Sequence, residues 1–317
     1  MAANWMRRTA LVAACASAML LAACGSSTTE SAITPDRFIA FGDAHSDIGQ
    51  KGTRYTVNNG SVNNWTLQLV SHYQKTLAPV SSGGLSYAQG NARIAAQPDA
   101  AGEASTPTIT AQIDSFLASK TFAANDVVLL NGGISDLIVG MAAVQAGTLS
   151  SAAYLDQAHA NGQALAAQVR RLVAAGAPHI LMTGTYDLGK TPWATAIGQT
   201  ELLSQASTRF NEAVLVAIND LGQNVLFVDS AYYVNIFTSA GSAYSFTNAK
   251  AAVCTSVDAG NGIGTGTGQV NSALCTASTL LAGANADQYV FADNVYLSPS
   301  AQRQLGTFMY DKLRARW

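Results

Sequence analysis

The chain predicts an α/β fold built on a parallel sheet with helices on both faces, and three observations carry that expectation. Four short apolar runs, 37–41, 126–131, 179–184 and 224–229, each end in a Gly or Asp turn. Helical patterns of ten or more residues separate them, which favours right-handed crossovers between parallel strands. No internal repeat interrupts the alternation, and 317 residues with 49% hydrophobic content are enough for one large domain or two small ones.

In order, RFIAF (37–41) is a buried strand that stops at Gly42-Asp43. After a Gly/Asn-rich loop, Trp65, Leu69 and Tyr73 recur at four-residue spacing and predict a helix near Asn63–Gln74. Leu85–Ala88 reads as a short strand ending at Gly90, followed by a Gly/Pro/Ala-rich loop over Ala95–Ser105. Thr106 is expected to cap a helix with Pro107 first, burying Ile109, Ile113, Phe116 and Leu117. DVVLLN (126–131) is the clearest central strand and runs into Gly132-Gly133. An Ala-rich helix spans about Ser151–Ala175 and stops at Gly176, before the strand HILMTG (179–184). A helix over about Ala194–Leu221, mildly interrupted at Gly198, leads to the strand NVLFVD (224–229). Ser298 as cap and Pro299 first open the last helix, which buries Leu305, Phe308, Met309 and Leu313.

Formal net charge is −2 and only 11% of residues are charged, so no basic face for nucleic acid is expected. Residues 1–23 read as an export signal: Arg7 and Arg8, then an apolar stretch of small residues. That stretch is short for a membrane span, although an uncleaved helical anchor is the alternative. Leu21-Ala22-Ala23-Cys24 resembles a bacterial lipobox, which implies cleavage before Cys24, lipidation of its thiol and a membrane partner. Gly25-Ser26 carries no inner-membrane retention aspartate, so the same resemblance implies an outer-membrane lipoprotein. Residues 24–36 then form a polar tether, and 37–317 the folded domain. Loss of Arg7 and Arg8 from 17 basic residues against 19 acidic ones leaves the mature chain mildly acidic. Cys254 and Cys275 remain as an even pair in an exported chain, predicting a disulfide across a Gly/Ser/Thr/Asn-rich insertion. Two free thiols are the alternative.

The exit of the first strand, Phe41-Gly42-Asp43-Ala44-His45-Ser46-Asp47-Ile48-Gly49, resembles the first block of the GDSL (SGNH) hydrolases, Phe-Gly-Asp-Ser-Leu-Ser-Asp-x-Gly. Phe41, Gly42, Asp43, Ser46, Asp47 and Gly49 match, and Ala44 stands where that family keeps its nucleophilic serine. Tyr87-Ala88-Gln89-Gly90-Asn91-Ala92-Arg93 is similar to the second block, in which a glycine N–H helps to form the oxyanion hole; Gly90 matches and Asn91 departs. Gly133-Ile134-Ser135-Asp136 resembles the third block, Gly-x-Asn-Asp, with Ser135 in place of the second oxyanion donor. Asp293-Asn294-Val295-Tyr296 resembles the final Asp-x-x-His, with Asp293 as the acid and Tyr296 in place of the base. The resemblance covers most of the mature chain. It implies a three-layer, flavodoxin-like sandwich and carboxylic ester hydrolysis without cofactor or metal.

The departures bear on that chemistry. A methyl group cannot attack a carbonyl, and a phenol of reference pKa about 10 is a poor general base at neutral pH. Loss of the serine or histidine of such a triad costs about 10⁶ in kcat, and loss of an oxyanion donor roughly 10²–10³. An engineered Ser→Ala exchange would explain Ala44 but neither Tyr296 nor Ser135. The expectation is therefore a hydrolase-like envelope protein with impaired catalysis that binds an acyl ester, lipid or glycan. The alternative is an active esterase using Ser46 or a rearranged site, although His45, adjacent in sequence, is badly placed to deprotonate it.

Other candidates have plainer readings. Asp43, His45, Asp47 and Asp293 could gather a metal, but short carboxylates in turns commonly bond the backbone, and no metal is expected. Asp187 after HILMTG and Asp229 at the end of NVLFVD face the site side of the sheet or else cap their own turns. His72 and His159 fall in helices, and His179 opens a strand far from the carboxyl ends where such folds place sites. Tyr232, Tyr233, Phe237, Tyr244 and Phe246 form an aromatic cluster that is core, a stacking platform for sugars, or a wall for acyl chains.

Overall fold

A computed structural model describes residues 33–317. The export signal 1–23, Cys24 and most of the tether lie outside the described residues. The four apolar runs form strands β1 (Arg37–Phe41), β2 (Asp126–Asn131), β3 (His179–Thr183) and β4 (Val225–Phe227), hydrogen-bonded in parallel in the order β1-β2-β3-β4. Arg37 faces Asp126 at the start of the β1–β2 ladder, and their side chains form an ion pair there. All six residues of β2 are buried, which is why its sequence is a continuous apolar run instead of an alternation.

Leu85–Tyr87 pairs with the free edge of β1. The Ala40 N–H donates to the Leu85 carbonyl at 3.0 Å, and the Tyr87 N–H to the Ala40 carbonyl at 2.7 Å. The bridge Ala40–Ser86 is parallel. The short strand expected at 85–88 is thus reduced to a single bridging residue, Ser86, but it lies outside β1. The second chain segment flanking the first before the order proceeds to β2, β3 and β4 is the flavodoxin-like order.

Alternate strand residues feed two cores. On one face Phe38, Ala40, Val127, Leu129 and Leu181 meet helices α1 (Trp65–His72), α3 (Ile134–Gln145), α7 (Ser230–Ser239) and α8 (Pro299–Arg316). On the other, Ile39, Phe41, Val128, Leu130, Ile180 and Met182 meet α2 (Ile109–Leu117), α4 (Ser151–Ala174) and α6 (Thr200–Ala217). The result is the expected three-layer sandwich. Among the described residues no helix is long and apolar enough to cross a membrane.

Three further points differ from expectation. Thr108, not Thr106, caps α2 by accepting the Ala111 N–H, because the Thr106 hydroxyl is engaged by Asp99. The predicted helix 194–221 is two helices, α5 (Pro192–Ala196) and α6, because Gly198 at φ 67° breaks the ladder between them. Helix α3 was not anticipated, since it is buried almost all round its first two turns and shows no amphipathic stripe. The Cys254–Cys275 disulfide is formed, beside a small parallel pair of β5 (Asn248–Ala252) and β6 (Tyr289–Phe291). The ring cluster of Tyr233, Phe237, Tyr244 and Phe246 is packed edge to face, with Tyr233 stacked on Phe308 of α8, whereas Tyr232 is exposed.

Candidate functional site

Strand β1 delivers Gly42 to the carboxyl edge of the sheet. There Gln112 of α2 holds its backbone at both ends, accepting the Gly42 N–H and donating to its carbonyl, each at 2.9 Å. A Cβ at Gly42 would lie 2.0 Å from Asn131 Oδ1, so only glycine lets β1 and the end of β2 approach this closely. Asp43 Oδ1 accepts the His45 N–H at 3.0 Å and the Asn131 amide at 2.7 Å, while Oδ2 has no partner. Burial pushes the Asp43 pKa up to about 6, with those two hydrogen bonds opposing the shift.

Ala44, at the nucleophile position of the resemblance, is 1% exposed, and the residues after it turn inward. His45 is buried with neither ring nitrogen partnered, stacked 6.2 Å from Trp65 and edge-on 5.5 Å from Tyr186. Burial alone drives its pKa down to about 3, so the ring is neutral at physiological pH. Ser46 is fully buried, and its Oγ accepts the Trp65 indole N–H at 3.1 Å. Its hydroxyl therefore sits against an indole donor and not against an imidazole acceptor.

Asp47 gathers three backbone donors. Its Oδ1 accepts the N–H groups of Gly49 and Gln50, and its Oδ2 accepts that of Gly90 at 2.8 Å. The N–H at the oxyanion position thus already has a carboxylate partner. Tyr55 stands over the same glycine: a Cβ at Gly90 would lie 2.0 Å from the Tyr55 hydroxyl oxygen. Asn91 adopts φ 64°, the left-handed conformation that the family's second glycine suits and that asparagine tolerates. Its amide donates to the Gly262 carbonyl at 2.9 Å and ties this turn to the disulfide insertion.

Ser135 lies in the first turn of α3, fully buried, with Oγ unpartnered. Its neighbour Asp136 accepts the Ile94 N–H at 3.0 Å and pairs with Arg93, yet burial still raises its pKa. On the far side, Asp293 Oδ1 accepts the N–H groups of Val295 and Tyr296 at 2.8 and 2.6 Å, while Oδ2 accepts both the N–H and the hydroxyl of Ser272. Desolvation raises its pKa against all four bonds. Tyr296 is fully buried with its hydroxyl unpartnered, 5.4 Å from the Tyr55 ring. Burial, then the charge on Asp43, pushes its phenol pKa well above the usual value. Tyr186 donates to the Val295 carbonyl at 2.7 Å, clasping the 293–296 turn to the exit of β3.

Ala44, Tyr186 and Tyr296 belong to one core cluster that Tyr55 packs against, so rings close over the residue at the nucleophile position. The acid–base–hydroxyl relay of ester hydrolysis needs a hydroxyl next to an imidazole and an imidazole next to a carboxylate. Here the positions hold a methyl, a phenol, and a carboxylate satisfied by backbone and serine donors. Among the described residues no three His, Cys, Asp or Glu side chains gather as metal ligands. Asp187 and Asp229 cap their own turns, accepting the N–H groups of Gly189 and Tyr232. His72 stacks on Tyr310, His159 is exposed, and His179 packs edge-on to Trp317 at the opposite edge of the sheet. Sequence reading missed Tyr55, Trp65 as the partner of Ser46, Asn131 as the partner of Asp43, and Ser272 as the partner of Asp293. Only Asn131 carried a signal, as the polar residue that ends an apolar strand on the site side.

The model of the family described as GDSL-like Lipase/Acylhydrolase matches residues 38–307. No curated protein matches the chain. Among solved structures, one described as "a putative arylesterase from Agrobacterium tumefaciens str. C58" is 12% identical, with 89% of this chain and 99% of that one covered and a TM-score of 0.45. Two others are 13% identical over 89% of this chain and 98% of theirs, with TM-scores of 0.45 and 0.44. Because the family match extends from the second residue of β1 into α8, the chain belongs to the GDSL-like lipase/acylhydrolase family.

Proposed function

We propose that this chain is a lipid-anchored envelope protein that keeps the GDSL-type scaffold, has lost serine-based ester hydrolysis, and holds a glycan or lipid ligand without turning it over. One observation carries the reading: the nucleophile and base positions are Ala44 and Tyr296, and both are closed inside the same core, at most 1% exposed. A substrate carbonyl would have to displace packed rings to reach them, and would meet no hydroxyl on arrival.

The lost groups are mutually consistent. Without a nucleophile there is no proton for residue 296 to remove, so a buried tyrosine costs no activity there. The neighbouring positions have taken structural partners: the Gly90 N–H bonds Asp47, and Asp293 bonds Ser272. The Ile33 N–H donates to the Trp317 carbonyl at 3.2 Å, so the segment leading back to Cys24 meets the domain at the amino ends of the strands. Asp43 and Tyr296 lie at the carboxyl ends. The tether therefore joins the domain at the end opposite the site edge, which is compatible with a protein presenting a binding face. Outer-membrane placement rests on the absence of an aspartate after Cys24.

Turnover of short-chain p-nitrophenyl esters by the purified chain tests this reading. Wild type and Ser46→Ala are expected to match the buffer rate. A wild-type rate abolished by Ser46→Ala would establish an active esterase instead. Globomycin-sensitive processing and palmitate labelling that is lost in Cys24→Ala test the anchor.

A further inference from the structure

Beside the closed site lies a half-open cavity of about 400 Å³ between the turn at 99–102, the outer face of α3, the start of α5 and the disulfide insertion. That is within the ~300–1,000 Å³ range of small-molecule sites. We infer that this cavity binds one unit of a neutral saccharide. The inference rests on the reading that the chain holds a ligand without hydrolysing it, and it chooses the glycan over the lipid.

The walls are built and not incidental. The Asn261 amide donates to the Ala101 carbonyl at 3.0 Å, and the Gly264 N–H closes back on the Asn261 carbonyl at 2.7 Å. Gly264, at φ 86°, lets the insertion seat against Ala100, whose carbonyl oxygen would be 2.3 Å from any Cβ there. Asn91 pins the same loop through Gly262. At the base, the Trp193 N–H donates to the Asn294 carbonyl at 2.9 Å, so the floor is fixed to the turn that carries Asp293. The cavity is thus joined to the former catalytic blocks on two sides.

Its chemistry is uncharged and capable of hydrogen bonding. Trp193 and Thr265 both line it, and the indole N–H and the hydroxyl are enclosed with no partner. Buried polar groups are normally paired, so these two, one from α5 and one from the insertion, mark where a ligand's oxygens would be met. Gln145 and Asn261 add carboxamides at the mouth, while Val139 and Ala142 give an apolar side. No lysine or arginine lines the space to hold an anion. Its one acid, Asp99, already accepts the N–H groups of Ala101 and Glu103 and the Thr106 hydroxyl. An acyl chain would leave the indole and hydroxyl unanswered. A sugar ring offers hydroxyls to the polar wall and C–H faces to the apolar one.

Saturation-transfer NMR on the full chain tests this with glucose, galactose, N-acetylglucosamine and maltose, and with glucuronate and octanoate as counter-probes. We expect transfer to at least one neutral sugar and none to octanoate. Thr265→Val and Trp193→Phe, each removing one donor, should weaken that sugar by about tenfold, and Val139→Trp, which fills the space from its apolar side, should abolish binding. Thermal melting of each variant within a few degrees of wild type separates a lost contact from a lost fold. No neutral sugar bound, octanoate preferred, or sugar binding unmoved by Val139→Trp would each overturn the assignment. The ester assay keeps the two readings apart: sugar binding with turnover removes the non-hydrolytic reading alone, and neither binding nor turnover removes only the cavity assignment.

Discussion

The carboxylate of Asp47 accepts the backbone N–H of Gly90 at 2.8 Å, across 43 residues of chain. This single bond joins the first two family blocks, and it occupies the donor that an oxyanion would need. Tyr55 completes the closure by packing its ring on the same glycine. On the proposed reading, placing serine at 44 and histidine at 296 is then not sufficient for catalysis. Ala44→Ser/Tyr296→His should give p-nitrophenyl acetate turnover no more than about tenfold above buffer, since one missing oxyanion donor alone costs roughly 10²–10³. Adding Tyr55→Ala should raise that rate at least tenfold by opening the space over Gly90. A double variant as fast with Tyr55 as without it would show that the ring is no barrier.

Both oxygens of Asp293 are taken up by donors. Four donors from three residues converge on its two oxygens, and one of them, Ser272, belongs to the disulfide insertion. Asp293→Asn keeps the size but turns an –NH₂ toward existing donors on one side. Loss of a charge-assisted hydrogen bond with a buried group left unpaired costs about 3 kcal/mol. A fall of that order in unfolding free energy, measured by urea titration, is the expected outcome. A variant as stable as wild type would mean that the turn does not depend on the charge.

How far the sequence could be read follows from how local each determinant is. DVVLLN was legible because a strand buried on both faces needs apolar residues throughout, and Ser298-Pro299 because cap and first-turn chemistry are adjacent in sequence. The substitutions Ala44, Ser135 and Tyr296 were legible because each sits inside a short block. Helix α3 was not, because its opening turns are buried all round and lack a periodic stripe. Thr106 and Thr108 are equally good caps on paper, and only the distant Asp99 decides between them. Tyr55 lies in a loop without motif or period. Its contact with Gly90 and Tyr296 exists only once three separate segments fold together, so nothing local announces it. The same holds for Ser272 on Asp293.

The disulfide closes an insertion with little core of its own. Val253, Cys254, Cys275 and Ala292 form a small cluster with Val57, and the rest is polar loop. A bridge spanning 21 residues contributes about 3 kcal/mol in the chain-entropy account. Cys254→Ser/Cys275→Ser should lose about that much. Limited proteolysis should then cut first between 255 and 274, because Ser272 and Gly262 would no longer be held against Asp293 and Asn91. Resistance of that segment to protease in the double variant would place its stability in those hydrogen bonds instead.

His45 sets an acid limit on the fold. In the unfolded chain it titrates near its ordinary value of 6.5, but burial lowers its pKa to about 3 in the folded protein. Between those values the unfolded state binds the extra proton, so stability from this residue falls as pH drops through 6.5 towards 3. Asp43 acts in the opposite sense: raised from 3.8 to about 6 by burial, it favours the folded state at low pH and loses that contribution as pH rises through 6. The two partly cancel in the wild type, which masks both. His45→Phe removes only the first and fills the space between Trp65 and Tyr186 with another ring. Relative to wild type, the variant should therefore gain stability as pH falls from 7 to 4, by more than about 2 kcal/mol at 1.36 kcal/mol per pKa unit. Urea unfolding at both pH values measures that difference, and a gap that does not change with pH would mean that the folded ring is protonated as easily as the unfolded one.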